Sequence, residues 1–191
     1  MERKTVFKWL RLFGLGFTLI SVVEIIDLLL LGSIIEINLE SQQINLFELF
    51  FFSGMVPIHG IFLFLFLLIV PFGFTALSLA IFKIAKDEML DNRTLSKFIF
   101  IIGMVLLLGN FVKLEYIILL GKTELNVSLP ISFQLVLYDP TTTPFIGAVL
   151  WIFPMAVVCG FLISGLIFGG VGLKWILLLE NEKITEENIS K

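Results

Sequence analysis

Of 191 residues, 58% are apolar and 15% charged, with 21 Phe and a mean hydropathy of +1.06, whereas an average soluble domain has about 25% charged residues. A soluble domain of this size keeps much of its surface in water and cannot hide so much apolar side chain, which makes the chain membrane-embedded. Thirteen Lys and Arg against 16 Asp and Glu, a net charge of −3, leave no basic stripe and exclude a nucleic-acid partner, and the single cysteine, Cys159, excludes a disulfide framework.

The first element is an apolar span over 10–32, retained rather than cleaved: it is much longer than the usual signal-peptide core of about 7–15 residues, and no small-residue cleavage site follows it. The loop 33–57 comes next. Ile35, Ile37 and Leu39 alternate there with Glu36, Asn38 and Glu40, the period of a half-buried strand. Asn45 to Ser53 is too short to span and too apolar to stay in water, so it reads as an interfacial helix with Glu48 turned to solvent. Pro57 stands at a helix start, where a missing N–H is tolerated.

The second span is predicted over 58–82, the third over 98–121 and the fourth over 145–173. All four exceed the roughly 20 residues that cross the hydrocarbon, and in lipid such segments must be helices to satisfy their own backbone. Between the second and third lies a polar loop, 83–97, with turn residues from Asp87 to Thr94. In the segment 122–144, Leu125, Val127 and Leu129 alternate with Asn126 and Ser128, and the β-forming run Ile131 to Tyr138 ends at the turn-like Asp139-Pro140-Thr141. The tail 174–191 reads as a solvated, frayed end from Glu180.

Orientation follows from the basic residues. Arg3, Lys4, Lys8, Arg11, Lys83, Lys86, Arg93, Lys97, Lys174, Lys183 and Lys191 all fall in the N-terminal segment, the 83–97 loop or the tail. Loop 33–57 has none, and 122–144 has only Lys122. The positive-inside rule puts both termini and the 83–97 loop in the cytoplasm of a cell with a multi-pass protein in its membrane. The expected fold is a single all-α membrane domain: a bundle of four transmembrane helices with a small extracytoplasmic β-sheet of three strands from the two outer loops. This layout resembles that of claudins. The tryptophan and paired-cysteine signature of claudin outer loops has no counterpart here, so the resemblance implies a topology and no function.

Ionisable groups within spans cost roughly 2.5–3.5 kcal/mol each on insertion scales and demand a reason. Glu24 and Asp27 share a face of the first span, with Ser21 a turn below; Asn110 and Lys113 share a face of the third, and Glu115 points away. At about 1.5 Å per residue, Glu24 stands about 24 Å above Lys8 and Lys113 about 24 Å above Lys97. The equal heights predict that Lys113 pairs with Glu24, Asp27 or both, with His59 as a second cationic candidate near the same level. This polar cluster has two readings, a structural network that fixes helix register or a site for a proton, a cation or a ligand head group.

Other chemistry is thin. One His and one Cys cannot build a zinc site, a bis-histidine haem or a redox dithiol, and no nucleophile motif or phosphate-binding glycine loop is present, so no cofactor, metal or catalytic residue is expected. Carboxylates alone leave Mg²⁺ or Ca²⁺ a minor alternative that Lys113 disfavours. Gly160, Ser164, Gly165 and Gly169, extended by Ala156, form a small-residue face on the fourth span that lets a helix approach closely, whether from this chain or another. Pro71 and Pro154 fall inside spans. The expectation is a non-enzymatic accessory, assembly or interaction subunit whose partners are membrane lipid and a membrane protein or a second copy. The alternative is a small proton- or cation-linked transporter using Glu24, Asp27 and Lys113; a lipid- or quinone-acting enzyme stays open on the cluster alone.

Overall fold

The computed structural model describes residues 3–39 and 42–189, with side chains up to residue 183. Its elements in chain order are α1 (Arg3–Ser33), β1 (Glu36–Leu39), β2 (Gln42–Asn45), α2 (Leu46–Phe51), α3 (Ile58–Asp87), α4 (Asn92–Lys122), β3 (Glu124–Leu125), β4 (Ile131–Ser132), α5 (Phe133–Tyr138) and α6 (Phe145–Ile189). Four of these, α1, α3, α4 and α6, are long and apolar enough to cross a membrane. Each extends beyond the apolar run that predicts it, because the polar residues at its ends continue the helix. The loop expected over 83–97 shrinks to a turn at 88–91. The tail expected to fray from Glu180 is instead a helical continuation of α6 through Ile189, and Trp175 is buried within it. Pro71 and Pro154 lie inside unbroken helices.

The long helices form a ring in which α1 packs along α3 and α4 along α6, with thinner contacts from α1 to α6 and from α3 to α4. Glycine permits both tight pairs. A methyl group at Gly14 would sit 2.8 Å from the Phe82 backbone nitrogen, and one at Gly172 would sit 2.5 Å from that of Phe100. At one end, called here the terminal end, Arg11 forms an ion pair with Glu88, and Arg3 donates a 2.6 Å hydrogen bond to the Glu88 carbonyl. Glu88 stands in a left-handed conformation (φ 50°) that ends α3.

The opposite, capped end carries the two long loops. Strand β1 pairs antiparallel with β2, Ile37 opposite Ile44 and Leu39 opposite Gln42. The alternation that predicts β1 is real: Ile35, Ile37 and Leu39 are buried while Glu36 and Asn38 are exposed. Glu40 lies outside the described residues. Helix α2 begins with a reciprocal cap in which the Glu48 amide donates to Asn45 Oδ1 (2.9 Å) and the Asn45 amide to Glu48 Oε2 (3.2 Å), leaving Glu48 exposed.

The expected three-stranded sheet shared by both loops does not form. The second loop makes its own two-residue pairing, Leu125 opposite Ile131, and the segment expected as a strand through Tyr138 turns into α5 after Ser132. Phe133, Val136 and Leu137 recur at helical spacing and are all buried, so burial of that stripe overrides the β-propensity of the individual residues. The loops are nevertheless tied: Asn38 donates its amide to Thr142 O (2.8 Å), and Asn126 donates to Met55 O (2.7 Å).

Candidate intramembrane polar site

Two separate apolar clusters fill the bundle. One, toward the capped end, includes Leu31, Phe64, Leu67, Ile117, Phe133 and Trp151. The other, toward the terminal end, includes Phe7, Phe17, Phe74, Leu106 and Phe161. Between them lies a layer of buried polar side chains: Ser21, Glu24 and Asp27 from α1, and Asn110 and Lys113 from α4.

Lys113 Nζ donates to Glu24 Oε1, and both side chains are 0% exposed. Because α1 and α4 are not neighbours in the ring, this ion pair crosses the bundle along a diagonal. The other diagonal is crossed by Phe74 of α3 and Phe161 of α6, whose ring centres are 5.4 Å apart. Lys113 Nζ lies 5.8 Å from the Phe74 ring centre, and Phe17 meets Phe161 edge-on at 4.3 Å. These rings floor the polar layer on its terminal side, and the buried cation gains a quadrupole contact.

The hydrogen bonds inside the layer are incomplete. Asn110 donates its amide to Leu106 O at 2.7 Å, which fixes its orientation and leaves Oδ1 without a partner. Glu24 Oε2, Asp27 Oδ2 and Ser21 Oγ are also buried and unpartnered. Ser21 departs from local habit, since Thr18, Ser33, Ser78 and Ser164 each return their hydroxyl to the carbonyl four residues back. Sequence reasoning names Ser21 only as a neighbour of the acids; its free hydroxyl carries no sequence signal.

Of the two remaining candidates, His59 lies elsewhere and Glu115 faces away from the cluster as its spacing predicts. His59 is exposed at the capped end, where it lines an 810 Å³ groove with Tyr116, Lys122 and Glu124. Its neighbour Gly60 abuts Thr123, ten residues beyond Lys113 on α4, which is a rise of about 15 Å. Glu115 is exposed on the far side of α4, among Leu108, Phe111, Val112, Ile118 and Leu119. No group of three or more His, Cys, Asp or Glu able to hold a metal occurs among the described residues.

The small-residue face on α6 divides. Gly165 and Gly169 meet α4 within this chain: a methyl at Gly165 would lie 2.9 Å from the Leu107 backbone nitrogen, and one at Gly103 would collide with the Gly169 backbone. Gly160 is exposed and Ser164 half-buried, and a methyl at Gly160 would meet nothing within 4 Å. The contact continues through Gly172 instead.

No known protein family, no curated protein and no solved structure matches this chain.

Proposed function

We propose that this chain is a non-enzymatic integral membrane protein, an accessory or assembly subunit that docks on a membrane-protein partner through the outward side of α4. The observation that supports this reading is Glu115. It stands seven residues before the end of α4 at Lys122, about 10 Å below that end, on a face that is otherwise apolar from Leu108 to Leu119 and closes at the exposed Lys122. A carboxylate presented to lipid carries an insertion penalty, and a partner helix bearing a basic or hydrogen-bonding side chain removes that cost. The excess of Lys and Arg at the terminal end supports a capped end outside the cell and both termini in the cytoplasm, with the chain in the cell membrane. The claudin resemblance stays a likeness of layout: four helices with structured loops on one side.

Purification in a mild detergent from native membranes tests the docking. The wild type is expected to elute with a stoichiometric second membrane protein, and Glu115→Leu to elute without it while melting normally. A wild-type chain that elutes as a lone monomer, or a Glu115→Leu variant that keeps its partner, overturns the reading.

A second reading, a small proton- or cation-linked transporter, draws on the unpartnered oxygens of Ser21, Glu24, Asp27 and Asn110. Apolar clusters on both sides of the layer weigh against it. A pH-dependent flux in liposomes that Glu24→Gln abolishes would favour it over the accessory role.

A further inference from the structure

We propose that the groove between α1 and α3 at the terminal end binds one anionic phospholipid, its phosphate between Lys8 and Arg11 and an acyl chain along Leu12 and Leu15. The groove has a volume of 660 Å³ and is lined by Thr5, Lys8, Trp9, Arg11, Leu12 and Leu15 of α1 and by Phe82 of α3. Thr5, Lys8, Leu12 and Leu15 fall on one stripe of α1, with Arg11 nearly a turn beyond Lys8. All but the half-buried Arg11 and Phe82 are exposed. Behind them the two helices meet closely, since a methyl group at Gly14 would sit 2.8 Å from the Phe82 nitrogen.

The stripe changes character with depth. It is polar at Thr5 and Lys8 and apolar at Leu12 and Leu15. The ten residues from Thr5 to Leu15 rise about 15 Å, against roughly 5–7 Å for one headgroup layer, so the groove runs from headgroup level into hydrocarbon. Trp9, 59% exposed, stands at the change, where amphipathic rings settle in a bilayer.

Charge selects the ligand. Lys8 makes no ion pair among the described residues, and Arg11 is held in place by its ion pair with Glu88. Lys4, Lys83 and Lys86 are exposed at the same end of these two helices, where the described acids are Asp87 and Glu88. No acid lines the groove itself. Two cations suit one phosphate, and the ammonium of a zwitterionic headgroup finds no carboxylate in the lining to pair with. Basic pockets between membrane helices take anionic headgroups for this reason. The pocket between α4 and α6 at the same end differs, because Glu180 stands there among Arg93, Lys97 and Lys183.

Thermal melting of the purified chain in detergent tests the site, with phosphatidylglycerol or phosphatidylcholine of the same acyl chains added at equal mole fraction. Phosphatidylglycerol is expected to raise Tm by several degrees in a saturable manner, as a ligand bound only by the folded state does. Lys8→Gln is expected to lose most of that shift and Lys97→Gln, a charge removed from the other pocket, to keep it. Equal wild-type melting in the two lipids overturns the proposal, whether or not either variant folds. So does equal loss in the two variants, which assigns the effect to diffuse attraction at a basic surface. Inorganic phosphate or glycerol phosphate that reproduces the full shift also overturns it, because the site then needs no acyl chain. The groove involves neither α4 nor Glu115, and Glu115→Leu is expected to keep the lipid shift, so this proposal and the docking reading fail separately.

Discussion

Glu24 and Lys113 join two diagonally opposed helices of the bundle, α1 and α4, that do not otherwise pack along each other. Their ion pair therefore acts as a cross-brace between the α1–α3 pair and the α4–α6 pair, set between the two apolar clusters. Removing one partner leaves the other charge buried and alone, which costs about 3–5 kcal/mol in buried pairs, while replacing both with apolar side chains is often close to neutral. Lys113→Met is thus expected to lower stability by about that amount and Glu24→Leu/Lys113→Met to recover most of it. Denaturation of the single and double variants in detergent measures the coupling. A double variant as unstable as the sum of the singles would show that the two charges do not act together.

The reciprocal cap of α2 supports a helix of only six residues, too short to persist alone. Leu46, Leu49 and Phe50 of that helix are buried in the capped end, so loss of the cap is felt in packing as well as in the backbone. Asn45→Ala is expected to cost about 1 kcal/mol and to speed amide exchange at Glu48, whose N–H donates to Asn45. Asn45→Asp keeps an acceptor at the N-cap and is expected to retain most of the stability. Exchange at Glu48 that is unchanged in Asn45→Ala would remove the cap from the account.

Much of this architecture can be read in the chain because lipid narrows the choices. A run such as 58–82 has no stable option but helix, and equal rise from Lys8 and Lys97 suffices to bring Glu24 and Lys113 to one height. The alternation of Ile35, Ile37 and Leu39 reveals β1, but its partner, Gln42 to Asn45, is half-exposed and polar and carries no period. Phe133 to Tyr138 misleads, since its residue types favour strand while the spacing of its buried members is helical. His59 is misplaced because its position at the start of α3 sets it a full loop-depth above Lys113, a matter of how Gly60 meets Thr123. The unpartnered Ser21 hydroxyl is a property of packing alone.

The turn after α5 is organised by Asp139. Its Oδ1 accepts from the Thr141 amide (2.8 Å) and hydroxyl (2.7 Å), and these bonds hold its carboxyl below the ordinary value of 3.8. A depressed folded-state value means that the charged form stabilises the turn above pH 3.8 and that this contribution is lost as pH falls through the folded value below it. The same turn offers the Thr142 carbonyl to Asn38 of β1, so its loosening is transmitted to the hairpin. A carboxyl NMR titration is expected to place the Asp139 midpoint below 3.8, and Thr141→Val to raise it. A midpoint at or above that value would show that the hydrogen bonds do not form.

The α4–α6 seam separates glycines that a simple small-residue motif treats alike. At Gly103 an added methyl meets the backbone of Gly169 and of Phe168, and at Gly172 it meets the backbone of Phe100, so neither can be relieved by a side-chain rotation. At Gly169 the added methyl meets nothing within 4 Å, although the same residue's backbone is what Gly103 approaches. Overpacking a tight interface costs typically about 1–3 kcal/mol. Gly103→Ala and Gly172→Ala are expected to fall in that range, and Gly169→Ala to be neutral or slightly stabilising through improved helix propensity. Melting of the three variants in one detergent decides it. Equal destabilisation by Gly169→Ala and Gly103→Ala would mean that the helices meet along a different register from the one described.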